Sequence, residues 1–250
     1  MNTLGIIQAR LASTRLYGKI LHPLRGHPLL AVLARRLASA ARVDAWWLAT
    51  TERGEDDLTA RWGRAIGLNV HRGSEADVLS RFTAIVRRQP RVPDWVVRIT
   101  ADDPFTDGAV VDLMLHQAAT APASATLLVG AGAAGLPLGY IPSVVRGPVL
   151  LDIESRIPAD QPYHRAHVTS WLDAERGGVA YHPPAAWPRR SCWRWTVDTA
   201  EDARMAEQAF TLFGDAWPDI AYPDMVAALD DRPDIADINA HIRQKPLEAG

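Results

Sequence analysis

Over its first 120 residues the chain alternates short apolar runs with stretches of helical spacing, and few architectures accept that alternation. Residues 3–9 read as a strand. Pro28 to Ala41 repeats apolar residues at helical spacing, with Pro28 suited to the first turn. Ala45 to Thr50 is a short buried strand, and Asp56 to Ile66 a helix stopped by Gly67. Leu68 to His71 is a third strand. Ser74 then reads as the N-cap of a helix running to about Arg88, with Asp77 three residues on, near a capping-box pattern. Trp95 to Thr100 is a fourth strand, Ala101 to Thr106 a loop and Gly108 to Ala119 a helix. Strand and helix taking turns predict an α/β fold, a mostly parallel sheet sandwiched by helices.

After residue 120 the pattern weakens. Ala125 to Val129, Val179 to His182 and Trp193 to Val197 read as strands, Tyr140 to Ser155 as extended and turning, and Pro162 to Asp173 as holding a short helix. Thr199 to Phe213 is a clear helix, capped by Asp198 or Thr199, with Glu201 and Asp202 in its first turn. Further helices are expected from Pro223 to Leu229 and from Ile235 to Ile242. Gly130 to Gly135 matches GxGxxG, but Pro137, Gly139 and Pro142 follow where a dinucleotide site needs a helix to open. That segment reads as a glycine loop.

With 48% hydrophobic residues the chain can bury a sizeable core, and its net charge of −2 includes no basic block, so nucleic acid is not an expected partner. Cys192 is the sole cysteine, which rules out a disulfide framework within the chain and a cysteine-rich zinc site. No apolar run reaches membrane-spanning length and no signal-peptide pattern opens the chain. A soluble cytoplasmic protein with no membrane partner is the expectation.

The stretch Ile6 to Lys19 (IIQARLASTRLYGK) concentrates chemistry. An apolar strand breaks into a loop holding Arg10, Ser13, Thr14, Arg15, Gly18 and Lys19. Cations, hydroxyls and turn backbone are the materials of a phosphate cradle. The alternative is a basic surface loop. It is not a Walker A loop, since Ile20 follows Gly18 and Lys19. Asp102 and Asp103 lie just past the fourth strand, where ligands gather in open α/β sheets. They can offer oxygen to Mg²⁺, or simply make an Asp-Pro turn. Asp198 is either a helix N-cap or a second metal carboxylate.

These stretches resemble the cytidylyltransferase family that includes CMP-Kdo and CMP-acylneuraminate synthetases, and most of all its spore-coat polysaccharide (SpsF-like) branch. The opening IIQARLASTRLYGKIL carries the likeness. Arg72 to Phe82, Arg98 to Phe105, Tyr163 to Thr169 and Arg194 to Asp202 (RWTVDTAED) continue it in order. The resemblance implies a nucleotide-diphosphosugar-transferase sheet, glycosyltransferase-A-like and Rossmann-like. It also implies transfer of CMP from CTP to an acceptor oxygen with release of pyrophosphate. By position, Arg10, Ser13, Arg15 and Lys19 would hold the triphosphate, with Gln8, Ala9 and Thr100 beside the nucleotide. Asp102 and Asp198 would hold Mg²⁺, and Arg15, Lys19 and Asp102 would carry the catalysis. Arg72, Ser74 and Asp77 would lie near base and ribose. Arg81, which could also reach that pocket, joins His164 and Arg165 as candidates for an anionic acceptor. The His164 and His167 pair reads as an ordinary helix face more readily than as a zinc site.

One nucleotidyltransferase domain over 1–250 is expected, with a nucleotide half to about residue 120, an acceptor half to about 215 and a helical tail. Relatives of this kind are commonly dimers, so a homodimer is the expectation by resemblance. Departures from the family pattern are Tyr17 where it has Pro, and Ala101 where it has Gly. They leave open a different acceptor (a phosphonate, a sugar or polyol phosphate), another NTP, or a non-catalytic nucleotide binder.

Overall fold

The computed structural model describes residues 1–122, 125–129, 134–158, 160–176 and 178–245. The elements in chain order are β1 (Thr3–Gln8), β2 (Pro23–Leu24), β3 (His27–Pro28), α1 (Leu29–Leu37), β4 (Ala45–Thr51), α2 (Asp57–Ala65), β5 (Asn69–Gly73), α3 (Val78–Arg87), β6 (Trp95–Thr100) and α4 (Gly108–Thr120). There follow β7 (Leu127–Val129), β8 (Ser143–Arg146), α5 (Gly147–Ile153), α6 (Pro162–His167), α7 (Ser170–Arg176), β9 (Val179–Ala180), α8 (Ala200–Leu212), α9 (Tyr222–Asp230) and α10 (Pro233–Ala236).

Seven strands form one sheet in the order β5-β4-β1-β6-β8-β7-β9. The pairs β1–β4, β1–β6 and β4–β5 are parallel, β6–β8 and β7–β8 antiparallel, and β7–β9 parallel. The strand order reverses at β1 and β6, so their carboxyl ends diverge into a crevice. Side chains alternate across the sheet. Ile7, Leu48, Val97, Ile99 and Val144 point into one core with α1, α4, α8 and α9. Leu4, Ile6, Ala49, Val96 and Val145 point into the other, beneath α3, α5 and α7.

Several boundaries differ from the sequence reading. Pro28 ends β3 and is the N-cap of α1, and that helix stops at Leu37 rather than Ala41. Ser74 does not cap α3. Its Oγ accepts from Asp77 N–H at 3.1 Å, making a turn after β5, and Asp77 caps the helix by accepting from Ser80 N–H at 2.9 Å. The Tyr140 to Ser155 stretch holds both β8 and helix α5, whose apolar run is too short to show helical spacing. Trp193 to Val197 is no strand, since Arg194 makes a single bridge with Leu138. Ile235 to Ile242 holds only the end of α10 and the turns beyond it. Most of the GxGxxG match, Gly130 to Ala133, lies outside the described residues.

Where a short helix is expected within Pro162 to Asp173 there are two, separated at Val168, where φ is 61° and ψ is −60°. Thr169 N–H donates to His167 O at 2.6 Å, closing a γ-turn that a β-branched residue adopts only under strain. The reversal brings His164 Nδ1 within 2.8 Å of Ser170 Oγ.

Candidate active site

The loop after β1 is pinned at both ends. Leu11 N–H donates to the buried carboxylate of Asp56 at 2.8 Å, and Gly18 N–H returns to Leu11 O at 2.9 Å. Gly18 has φ of +70°, a conformation glycine adopts without strain. Leu11 and Ile20 are buried anchors, so the residues between them project from the sheet edge while Lys19 turns back. Tyr17 is 66% exposed and contributes nothing to the pinning.

Lys19 Nζ hydrogen-bonds Asp102 Oδ2 and lies 2.7 Å from Asp198 Oδ1. Arg15 lies 2.9 Å from that same oxygen, and Arg194 2.6 Å from Asp198 Oδ2. Residues from the start, middle and end of the fold therefore meet at one point above the β1–β6 crevice. Backbone hydrogen bonds fix the meeting. Ala101 N–H donates to Gln8 O at 2.9 Å, and Val197 N–H donates to Asp102 O at 2.8 Å. Burial opposes the Lys19 charge, but Asp102 and Asp198 outweigh it and raise its pKa. Burial likewise opposes ionisation of Asp198, and Lys19, Arg15 and Arg194 outweigh it and lower its pKa.

The rear of the site is a network that sequence reading passed over. Asp202 Oδ2 accepts from the backbone N–H groups of Asp198 and Thr199, each at 3.0 Å, and Thr199 Oγ1 accepts from Asp202 N–H, completing a capping box. Asp202 Oδ1 accepts from Arg194 Nε at 3.0 Å and Asn239 Nδ2 at 2.8 Å. The helix cap thus aims Asp198. Gly139 was missed too. At φ of +87°, a Cβ there would sit 2.6 Å from Thr196 N and 2.7 Å from Asp103 Oδ1. The signals available were a charge inside an apolar run (Arg194) and an acid three residues into a helix (Asp202).

Asp103 plays a different part from Asp102. Thr100 Oγ1 donates to its carboxyl, and burial with the neighbouring Asp102 charge pushes its pKa up to about 8. The remaining expected residues spread along the ends of β1, β4 and β5. Gln8 Oε1 accepts from Arg98 Nε at 3.1 Å. Ala9 N–H donates to Ala49 O at 3.1 Å, which also accepts from Arg81 at 3.1 Å. Arg81 is 2% exposed with its Nε lacking a hydrogen bond, and burial, then Arg10, lowers its pKa to about 10. Arg10 itself is exposed, 3.6 Å from Glu75. Ser13 Oγ accepts from Leu16 N–H at 3.4 Å. Arg72 is spent on Thr51 O, Asp57 and Arg53 O. Arg165 is held by Asp77 and Glu154 O, so both guanidinium and carboxylate brace α6 against α3.

Two carboxylate oxygens converging on one ammonium form a site with hard-donor chemistry. A divalent ion such as Mg²⁺ fits such a pair, because it takes one or two carboxylates and completes its shell with phosphate and water. Among the described residues no group of three or more His, Cys, Asp or Glu could hold a metal without such help.

A crevice at the topological switch point, lined by a pinned cationic loop and paired aspartates, is the architecture of a nucleotidyltransferase. Residues 4–136 match the family model for cytidylyltransferases, and this chain belongs to that family. The spore coat polysaccharide biosynthesis protein SpsF of Bacillus subtilis (strain 168) is 32% identical over 239 residues, covering 93% of this chain and 96% of that protein. The fold recurs in a cytidylyltransferase from Leptospira borgpetersenii, with a TM-score of 0.86 at 24% identity over 98% of this chain and 100% of that one. It also recurs in a CMP:2-keto-3-deoxy-manno-octonic acid synthetase complexed with CTP, with a TM-score of 0.60 at 17% identity over 85% of this chain and 98% of that one.

Proposed function

We propose that the protein transfers CMP from CTP to an oxygen of a small anionic acceptor and releases pyrophosphate, with Mg²⁺ held by Asp102 and Asp198. The observation that carries this reading is the convergence of those two carboxylates on Lys19 Nζ from positions 96 residues apart in sequence (198 − 102). The relative with CTP bound and the polysaccharide role in the name of the Bacillus subtilis relative support the nucleotide and the sugar-like acceptor. When bound, the metal would polarise the α-phosphate and offset its charge.

The chain's own residues do the rest. Lys19 and Arg15 stand beside the carboxylates, where an arriving triphosphate can draw them onto its oxygens. There they neutralise charge that grows on departing pyrophosphate. The buried Arg81, hydrogen-bonded to Ala49 O at the end of β4, is a candidate for an anionic acceptor that could also reach the base and ribose. Asp202 and Arg194 keep Asp198 aimed, so little reorganisation is needed as the oxygen attacks in line.

The test is pyrophosphate release with CTP, UTP, ATP or GTP, Mg²⁺ and a panel of sugar acids and sugar phosphates. CTP should lead. Asp102→Asn should lower the rate by about 100-fold or more with an unchanged circular dichroism spectrum. Wild-type turnover in that variant removes the metal assignment, and equal use of all four nucleotides removes the cytidylyl assignment.

A further inference from the structure

Arg98 interrupts the apolar strand β6, two residues before its end. On that strand Val96 faces the core beneath α3 and α5, and Arg98, two residues on, shares its face. Its neighbours in register are Ile6 on β1 and Ser143 on β8. Its Nε donates to Gln8 Oε1 at 3.1 Å, which fixes the plane of the guanidinium. Among the described residues Arg98 has no ion pair, and its two outer nitrogens make no hydrogen bond, yet they are not among the sealed unpartnered atoms. They therefore reach open space. Burial lowers the Arg98 pKa, with Asp103 and Asp102 opposing that effect. An interior guanidinium without an anion is costly, and the fork matches planar oxyanions with two parallel hydrogen bonds.

The nucleotide's phosphates have their own cations on the loop after β1. Arg98 sits on β6 between β1 and β8, and among the described residues no hydrogen bond or ion pair joins it to Arg10, Ser13, Arg15 or Lys19. We propose that the outer edge of the Arg98 fork, oriented by Gln8, binds the carboxylate or phosphate of the acceptor. This rests on the reading of an anionic acceptor given above, and it adds the residue that would select for the anion.

The test uses the full chain as wild type, Arg98→Met and Arg98→Lys. CTP affinity with Mg²⁺ is measured first by calorimetry. Melting temperature is then followed for the CTP-loaded protein in acetate, inorganic phosphate or chloride at equal ionic strength. Acetate or phosphate should stabilise the wild type over chloride. That shift should vanish in Arg98→Met and persist in part in Arg98→Lys, with CTP affinity changed by less than about threefold, which is under 1 kcal/mol. Whichever of acetate and phosphate gives the larger shift names the acceptor's anion. Equal shifts in wild type and Arg98→Met, or no shift in wild type, overturn the proposal. A loss of CTP affinity of tenfold or more in Arg98→Met overturns it too, because the fork would then serve the nucleotide. Should Arg98→Met fail to fold, the Nε–Hε NMR signal of Arg98 in the wild type decides. Movement on adding either anion supports the proposal, and an unmoved signal sinks it. Wild type that binds no CTP defeats the proposed function, while the anion shifts measured without nucleotide still judge Arg98.

Discussion

Asp198 concentrates the electrostatics of this protein in one side chain. Burial alone would raise its pKa, but Lys19, Arg15 and Arg194 hold it below the ordinary 3.8. A carboxyl depressed on folding adds stability that is complete above its unfolded pKa and is lost as pH falls through the folded value. Melting temperatures between pH 7 and 2.5 should therefore show an acid limb below pH 3.8 that is shallower in Asp198→Asn. That variant should also melt lower at pH 7, since Arg15 loses its carboxylate and Lys19 and Arg194 each lose one of two. An acid limb of unchanged slope contradicts the assignment. Gly139 is the steric counterpart. Gly139→Ala places a Cβ 2.6 Å from Thr196 N in a left-handed conformation, at a cost of roughly 1–3 kcal/mol. Because Asp103 and Thr196 are what it strikes, activity should fall further than the melting temperature suggests. Chemical denaturation beside the pyrophosphate assay checks both.

Helix α8 serves the site through its first turn. Thr199 and Asp202 form the cap, and the same Asp202 carboxylate orients Asp198 and Arg194. Thr199→Ala should cost about 1 kcal/mol, the usual worth of an N-cap. Asp202→Ala should cost about 1.5–3 kcal/mol beyond that, since it removes the cap together with one of the two carboxylates that hold the buried Arg194. Urea unfolding of both variants separates these outcomes, and near-equal losses would mean that Asp202 is only a cap. The helix itself was legible from its acids and apolar spacing. The second duty of Asp202 was not, because its partners Arg194 and Asn239 come from separate turns of chain. The Ser74 expectation failed for a related reason: the turn after β5 absorbs its hydroxyl before the helix begins.

Across the whole molecule, ligand binding should be visible as stability. CTP with Mg²⁺ at a hundred times its Kd adds about 2.7 kcal/mol, roughly 5–10 °C in melting temperature for a chain of this size. No shift with CTP, beside a clear shift with another nucleotide, would redirect the base assignment. The sequence alone determined the parallel half of the sheet, since apolar strands and amphipathic helices in alternation have few ways to bury their faces. It also brought forward Arg15, Lys19, Asp102 and Asp198, the side chains that the fold brings together. Only tertiary structure decided which oxygens share the Lys19 ammonium, that Arg72 and Arg165 are held in structural pairs, and that Arg98 keeps an open fork. Local propensity acts over a few residues, whereas an ion pair or an unpaired charge depends on which distant segments the sheet order brings to one crevice.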